Sequence, residues 1–224
     1  MRKIVMLKAL LIAILVIGLP AGPVAAQPIP QDVITVGSGS GAPGTVVDIP
    51  VFIRDTSGTP LGIDQPPGSR IQSYSIKVNY SNAAAVQSVT FTRAGITQSL
   101  TPTFESSPSG PGTITLLDTF AENTNLIPFV SNAPLPGNQV AHLVFTLSPA
   151  ATPGTTITLT LDPVLTQLTD QGGSPATRET TTAGNLLLVN GAISVVLAQG
   201  PTLSAWALIL LVASLAFLAV RTRL

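Results

Sequence analysis

The side chain best suited to acid–base chemistry near neutral pH is His142, the only histidine of the chain. It stands between Ala141 and Leu143 in an apolar stretch, and no Gly-x-Ser-x-Gly motif accompanies it. A catalytic histidine needs an oriented partner, and no such partner motif is recognisable in the sequence. We therefore expect His142 to be a structural residue and the protein not to be an enzyme.

Metal and cofactor chemistry is not predicted either. The chain contains no cysteine, which excludes thiolate ligands, disulfide bonds and thiol catalysis. Asp162 and Asp170 both follow predicted strands, but the dense carboxylate spacing of a calcium loop is missing around them. Asp170 beside Gly172 is more typical of turn chemistry. We predict no metal site and no cofactor.

Stacking on a sugar ring or a partner protein would need exposed aromatic side chains. Tyr74 and Tyr80 share one face of a predicted strand with Ile76 and Val78, which favours a place in the core. The aromatic residues left in or near predicted loops are Phe104, Phe120 and Phe129. These three are the candidates for a stacking contact.

The elements that must position these residues are predicted strands. Residues 72–80, QSYSIKVNY, alternate apolar and polar side chains with the period of two that a half-buried strand requires. Turn-forming Gly, Pro, Asn and Ser clusters separate eight further strand-like runs, at residues 33–36, 46–54, 86–92, 113–117, 139–147, 155–161, 185–189 and 192–196. We predict an all-β fold, an antiparallel β-sandwich of jelly-roll type with about nine strands.

Two connections carry distinct turn signals. Asn190-Gly191 separates the last two predicted strands, and this dipeptide suits the two positive φ angles of a type I′ turn, which predicts a C-terminal hairpin. Residues 55–69 contain three prolines and three glycines, which predicts a surface loop within one domain because strand-like sequence resumes on both sides.

The N-terminus has the order of a secretory signal peptide. Arg2, Lys3 and Lys8 precede an apolar stretch at residues 9–19, and small residues follow it. We predict cleavage by signal peptidase between Ala26 and Gln27, so that residues 1–26 take no part in the fold. The apolar stretch is shorter than the roughly 20 residues that span a bilayer, which disfavours a retained anchor.

A second apolar segment lies at the other end of the chain. Residues 203–220 carry no charge, and as a helix they would extend about 27 Å, close to the thickness of a hydrocarbon core. Arg221 and Arg223 would remain on the cytoplasmic side by the positive-inside tendency. We predict a C-terminal transmembrane helix and an exported body at residues 27–199 that faces the periplasm.

The C-terminal tail, residues 200–224, resembles bacterial sorting tails of the IPTL-CTERM type, relatives of the PEP-CTERM tails. The motif residues that match are Pro201, Thr202, Leu203, Ser204 and Trp206, with Arg221 and Arg223 at the end. Gly200 stands where the motif usually has Ile or Val. The resemblance implies an exosortase-type sorting enzyme as a partner. An ordinary permanent anchor in the inner membrane and a tail that is cleaved for transfer to the cell surface both remain open.

The body resembles cohesin-like domains. The segments that match are residues 33–37 and 41–51 with their Gly-x-x-Gly turn, 71–80, 139–147 and the final pair of strands. Ser81-Asn82 replaces the Asp-Pro pair that usually ends the third strand of that family. The resemblance implies a sandwich related to carbohydrate-binding modules and a binding role, with dockerin-like proteins as the family's partners.

Charge narrows the choice of partner. The body holds five basic and ten acidic residues, a formal charge of −5, which gives no electrostatic footprint for nucleic acid. The leading hypothesis is an exported, membrane-tethered or surface-sorted module that binds a protein partner. The alternatives are a structural component of the envelope or extracellular matrix, and a carbohydrate-binding module that recognises a surface polysaccharide.

Overall fold

The computed structural model of the protein describes residues 29–121, 124–170 and 176–198. These residues form fourteen strands and two short 3-10 helices, Ala83–Ala85 and Gly95–Thr97. The strands are β1 (Asp32–Val36), β2 (Gly39–Gly41), β3 (Val46–Arg54), β4 (Ser73–Tyr80), β5 (Val86–Arg93), β6 (Phe104–Ser106), β7 (Ser109–Gly110), β8 (Thr113–Thr119), β9 (Asn138–Leu147), β10 (Thr156–Leu161), β11 (Gln167–Thr169), β12 (Arg178–Glu179), β13 (Leu186–Val189) and β14 (Gly191–Val195). All nine predicted strands are present, and the five others have two or three residues each.

The strands form two sheets. Sheet A has the order β13-β1-β3-β9-β5. Sheet B contains the path β12-β11-β4-β10-β14-β2. On the other side of β4, sheet B continues with β8, which pairs in turn with β6 and β7. Most pairs are antiparallel, but β1 with β13 and β14 with β2 are parallel. The prediction of a β-sandwich is confirmed, whereas its description as antiparallel is wrong. Pairing across such long sequence distances leaves no trace in local alternation.

The core lies between the sheets and is filled by alternate residues of each strand. Sheet A contributes aliphatic side chains from β1 and β3, and β9 adds Phe145. Sheet B contributes Tyr74 and its neighbours on β4, together with inward residues of β8, β10 and β14. Tyr80 packs edge-on against Phe145, with ring centroids 5.5 Å apart. The prediction that both tyrosines belong to the core face is confirmed.

The predicted C-terminal hairpin is wrong. β13 pairs with β1 in sheet A, while β14 pairs with β10 and β2 in sheet B, so the chain crosses between sheets at Asn190-Gly191. The Asn190 side chain accepts a hydrogen bond from the Leu161 N–H at 2.9 Å, at the end of β10. A side-chain carbon at Gly191 would lie 1.8 Å from the Gly37 carbonyl oxygen. Both residues therefore serve close tertiary contacts rather than a type I′ turn.

The connection between β3 and β4 is a loop, as predicted, but it also enters the core. Leu61 and Ile71 have no exposed surface and join the hydrophobic cluster of the sandwich. Their backbones are tied together, because the Ile71 N–H donates to the Leu61 carbonyl at 3.2 Å. We call residues 55–72 the long loop. It closes one end of the sandwich instead of only covering the surface.

Both predicted ends of the chain lie outside the described residues, so the signal peptide, the cleavage site at Ala26 and Gln27 and the tail from Gly200 onward stay predictions, as do the domain boundaries that depend on them. Within the described parts of the chain, we find no helix with the length and apolarity needed to cross a bilayer. The predicted transmembrane helix, residues 203–220, belongs to the tail.

Candidate functional site

The outer surface of sheet B is the candidate site. On β4, β8 and β10 every second side chain is buried, and those between them point to solvent. We call this surface the B face and define it by the outward residues of β4, β6, β8, β10 and β11 together with the turn at residues 162–166. The strand positions with the clearest roles below are Ser73, Ser75, Lys77, Phe104, Leu117, Thr119 and Thr158. Most of its side chains are short and carry hydroxyl groups.

A hydroxyl pair across two strands orders part of the B face. Ser73 and Thr119 are directly opposite on β4 and β8, and their hydroxyl oxygens are 2.8 Å apart. Ser73 also lies 2.9 Å from the carbonyl oxygen of Asp118, to which it donates. Cross-strand contacts of this type stabilise one arrangement of side chains. The result is a pre-ordered surface with little side-chain entropy to lose on binding.

A rigid turn presents two apolar side chains beside this polar surface. The Asp162 carboxylate accepts hydrogen bonds from the N–H groups of Val164 and Leu165, both at 3.0 Å. Ser75 donates its hydroxyl to the Leu165 carbonyl at 2.9 Å, which fastens the turn to β4. Val164 is 78% exposed and Leu165 49% exposed. A backbone that is already fixed lets these two exposed side chains contact a partner without a further cost in loop ordering.

One ion pair accompanies the turn. The Lys77 ammonium lies 3.8 Å from the Asp162 carboxylate, and both side chains are partly exposed. The hydrogen bond from the Leu165 backbone, followed by that from Val164, lowers the pKa of Asp162 below its ordinary value, and Lys77 lowers it further. Asp162 therefore keeps its charge at every physiological pH. An exposed pair of this kind contributes only about 0–1 kcal/mol to folding.

The opposite edge of the B face carries Phe104 on β6. Its ring is 54% exposed and pairs in register with Thr119. Next to it on the same strand, Glu105 accepts a hydrogen bond from Arg93 of β5, which connects the edges of the two sheets. The B face thus carries hydroxyl groups on β4 and β8, with exposed apolar side chains at the turn and at Phe104.

Beneath the B face, a buried polar pair is enclosed in the core. The Tyr74 hydroxyl donates to the Asp118 carboxylate. Burial raises the pKa of Asp118 to about 6, against the lowering effect of that hydrogen bond, and burial also raises the pKa of Tyr74. Both residues are about 1% exposed, so they cannot contact a ligand. Their function is to hold β4 and β8 together.

Cavities of the described structure open beside β5. One of about 510 Å³ lies between β5 and β7, and its lining includes Tyr80, Val86, Gln87 and Val89 but no charged side chain. A second, of about 310 Å³, lies between β5 and β6 and is lined by Phe91, Thr92, Arg93, Gln98 and Glu105. The centre of the B face, on β4 and β8, contributes no residue to either of these two cavities.

The aromatic candidates divide between surface and core. Phe120 has no exposed surface and Phe129 is 7% exposed, so neither is a stacking residue. Burial places both in the hydrophobic cluster, with Phe120 tilted against the ring of Tyr74 at a centroid distance of 6.4 Å. Phe104 alone among the three reaches solvent. Loop location in the sequence did not predict burial, because both loops fold inward.

The polar candidates have structural contacts. His142 is half-buried on the outer surface of sheet A, where its Nε2 atom is 2.8 Å from the Gln139 amide nitrogen. Asp162 forms the turn described above, and Asp170 accepts a hydrogen bond from the Thr177 N–H at 3.2 Å. Among the residues that the structure describes, no three His, Cys, Asp or Glu side chains are placed to hold a metal ion.

Sequence reasoning missed Val164 and Leu165. The signal was present, because an aspartate followed by proline commonly begins a turn in which its side chain caps the next N–H groups. Two apolar residues inside such a turn have no strand partner and are candidates for exposure. What the sequence did not show is that the turn lies between β10 and β11, against Ser75 of the B face.

Comparison with known proteins bears on both parts of the chain. Residues 201–224 match the IPTL-CTERM motif, which confirms the predicted type of tail. No curated protein matches the chain with significance. Solved cohesin structures do match its fold at low sequence identity.

Three of these structures illustrate the likeness. The third ScaC cohesin of Acetivibrio cellulolyticus, in complex with the ScaB dockerin, has a TM-score of 0.52 and 18% identity over 74% of this chain and 99% of its own. The seventh ScaB type I cohesin of Pseudobacteroides cellulosolvens has a TM-score of 0.51 and 17% identity, covering 77% of this chain and 96% of its own. The OlpA cohesin of Clostridium thermocellum, in complex with Doc918, has a TM-score of 0.50 and 15% identity, covering 74% of this chain and 99% of its own. The described domain therefore has a cohesin-like fold.

Proposed function

We propose that this chain, a cohesin-like sandwich with an IPTL-CTERM tail, is a non-catalytic module that docks a protein partner on the B face. The observation that carries the proposal is the rigid turn that presents Val164 and Leu165 beside the flat, polar centre of β4 and β8. A broad surface with exposed apolar side chains beside hydroxyl groups suits a protein partner better than a small molecule, which normally binds in a concave pocket. Two features together support a docking role: the cohesin-like fold and the order of the face.

The partner that the fold favours is a dockerin-like protein. The cohesins of Acetivibrio cellulolyticus and Clostridium thermocellum named above were solved in complex with dockerins. A small helical partner could place apolar side chains against Leu165 and Leu117 while its polar groups meet the hydroxyls of β4. Lys77 and Asp162 would then select for orientation rather than supply most of the affinity.

A paired set of variants tests the docking proposal. Full-length protein in mild detergent serves as bait for envelope and secreted fractions, and the bound proteins are identified by mass spectrometry. Their affinities are then measured for the Val164→Asp/Leu165→Asp double variant and for Val46→Asp, which alters an equally exposed apolar residue outside the B face. Burying an unpaired charge in an interface costs about 2 kcal/mol or more, so we expect at least about a 30-fold loss for the double variant alone. Equal loss in both variants, or no partner at micromolar bait, would contradict the proposal.

Carbohydrate binding is less well supported. Among the described residues the B face exposes one aromatic ring, that of Phe104, whereas a flat sugar-binding platform normally stacks on several. A structural role in the envelope or matrix predicts concentration-dependent self-association instead. Sedimentation of the full-length protein over a hundredfold range of concentration, with and without the captured partner, distinguishes assembly from docking.

The tail supports a proposal about location. We infer that the protein is exported by the N-terminal segment, held in the inner membrane through residues 203–220 and then delivered to the surface by an exosortase-type enzyme. The IPTL-CTERM match supports this route. Mass spectrometry of the mature protein should find Gln27 at the N-terminus, and replacement of Trp206 or of Arg221 and Arg223 should keep the protein in the inner-membrane fraction. A mature protein with Met1 intact, or found in the cytosol, would contradict it.

A further inference from the structure

Three carboxyl side chains are buried together beneath the long loop. Asp32 at the start of β1 and Glu179 on β12 have no exposed surface, and Asp55 at the start of the loop is 1% exposed. We call these three residues the acid cluster. They come from three distant parts of the sequence, Asp32 and Glu179 from strands and Asp55 from the first position of the long loop.

Each member of the acid cluster fastens the long loop through one backbone N–H. The bonds run from Thr56 to Asp32 Oδ1 at 2.7 Å, from Leu61 to Glu179 Oε1 at 2.8 Å and from Ile63 to Asp55 Oδ1 at 2.9 Å. The middle bond holds Leu61 at the point where its side chain enters the core. Any change that separates the carboxyl groups therefore also loosens this apolar contact.

The second oxygens of two members meet no donor. Asp32 Oδ2 and Glu179 Oε2 are fully buried and have no hydrogen-bond partner in the described structure. The first oxygens of the same two groups bind the long loop two residues apart, Asp32 Oδ1 at the Thr59 hydroxyl (3.4 Å) and Glu179 Oε1 at the Leu61 N–H (2.8 Å), so the two carboxyl groups are neighbours. Neighbouring buried negative charges repel strongly, and one proton held between the two carboxyl groups would remove one charge and supply the missing donor. We propose that Asp32 and Glu179 share one proton in the folded protein and that its loss to solvent releases the long loop.

The charges around the pair favour the shared proton. Asp55 and Asp64 add negative charge from the long loop, while Arg70 donates to the Gln65 carbonyl and Arg54 to the Ala133 carbonyl. Neither arginine forms an ion pair with the cluster in the described structure. Burial, then the hydrogen bond and charge of Glu179, raise the pKa of Asp32 far above its ordinary value. Burial likewise raises the pKa of Asp55 to about 6.

The direction of the pH effect follows from these shifts. An unfolded or open loop lets both carboxyl groups ionise near their ordinary pKa values, whereas the closed loop keeps one proton. Closing therefore takes up a proton and is favoured at low pH. Above the ordinary range of a carboxylic acid, each unit of pH raises the equilibrium constant for loop opening about tenfold per retained proton. Ionisation of Asp55 near pH 6 acts in the same direction.

Hydrogen exchange of the full-length protein tests the proposal. The probes are the amides of Thr56, Leu61 and Ile63, measured between pH 5 and 9 and corrected for base catalysis. We expect their opening constant to rise about 100-fold between pH 6 and 8 in the native protein. In Glu179→Gln the rise should disappear, because the amide can accept from Leu61 and donate to Asp32 without a titrating proton. The exposed Asp48→Asn substitution on sheet A is the matched control and should keep the native pH dependence.

Two further measurements keep the test decisive if Glu179→Gln folds poorly. Asp32→Asn offers the same neutral hydrogen bond from the other side and should give the same flat profile. At pH 8, where Asp55 and Asp118 with pKa values of about 6 are ionised, the infrared band of a protonated carboxyl group should be present in the native protein and absent from both variants. A flat native profile would overturn the proposal. So would recovery of native protection at pH 9 on addition of Ca²⁺, which would identify a cation rather than a proton between the carboxylates.

Discussion

The B face and the acid cluster are both polar, yet their surroundings are opposite. On the B face, hydroxyl groups and the Lys77–Asp162 pair lie against water, and the ion pair contributes little to folding. Beneath the long loop, three carboxyl groups are sealed from water, and each holds one backbone N–H in place. The exposed region is suited to recognition and the sealed region to control of the fold.

The difference shows how burial assigns a role to a polar side chain. The pKa of Asp162 is lowered because backbone N–H groups stabilise its negative charge at the surface. The pKa values of Asp32 and Asp55 are raised because burial removes the water that would stabilise their negative charges. Aspartates in one chain are thus shifted in opposite directions. Identical substitutions made in the two regions should separate the roles.

The largest contrast is expected for leucine truncation. Leu61→Ala removes a fully buried side chain from the core, which should cost about 2–5 kcal/mol of unfolding free energy. Leu165→Ala removes a half-exposed side chain and should change stability by less than about 0.5 kcal/mol, while weakening partner capture. Urea denaturation, followed by far-ultraviolet circular dichroism, measures the unfolding free energy of both variants. Equal destabilisation would show that the turn at residues 162–166 belongs to the core.

Threonine replacement should give the next largest difference. Thr59 is 1% exposed, and its hydroxyl donates to the Thr56 carbonyl at 3.0 Å beside the acid cluster. Thr59→Val removes one of the two donors to that carbonyl, the Thr59 N–H at 3.4 Å remaining, which should cost about 1 kcal/mol. Thr158→Val on the exposed B face should be close to neutral, because β-branched residues favour strands. Thermal unfolding of the two variants side by side decides between these outcomes.

Aspartate replacement should separate the regions by the sign of their pH dependence. Asp55 has a pKa raised to about 6, so its contribution is complete at low pH and is lost as pH rises through 6. Asn at this position should flatten the fall in melting temperature between pH 5 and 7. Asp162 has a lowered pKa, so its contribution is present at neutral pH and lost only on acidification below the ordinary range. Asp162→Asn should therefore leave the slope at pH 5 to 7 unchanged.

The smallest effect is expected at Lys77. Its ammonium group is partly exposed and pairs with Asp162 at 3.8 Å, so Lys77→Ala should cost less than about 1 kcal/mol of folding stability. If the B face docks a partner, the same variant should slow association and weaken its dependence on salt. A stopped-flow series at increasing salt measures this. An unchanged salt dependence would place Lys77 outside the interface.

Connections between strands were harder to predict from the sequence than the strands themselves. Alternation in residues 72–80 correctly predicted which side chains of β4 face the core, because the side-chain period of a strand is fixed by local geometry. Asn190-Gly191 carried the strongest local turn signal and was still misread. Contacts with Leu161 and Gly37, both distant in sequence, decided the path there.

The candidate site was predictable only in outline. A polar outer surface on β4 followed from the sequence, and Phe104 was correctly among the aromatic candidates. The anchors Val164 and Leu165 were missed, because their exposure depends on a turn that Ser75 fastens to another strand. Phe120 and Phe129 were wrongly retained, because a loop residue becomes buried when its loop folds inward.

The sequence by itself determined the class of fold, the inward and outward faces of the main strands and the type of tail at residues 201–224. These properties depend on neighbouring residues or on short motifs. The tertiary structure alone decided which strands share a sheet and that β13 and β14 belong to different sheets. It also decided that Asp32, Asp55 and Glu179 are buried beneath the long loop. Pairing and burial arise between segments far apart in the chain, and their free energies depend on the assembled surroundings rather than on the residues concerned.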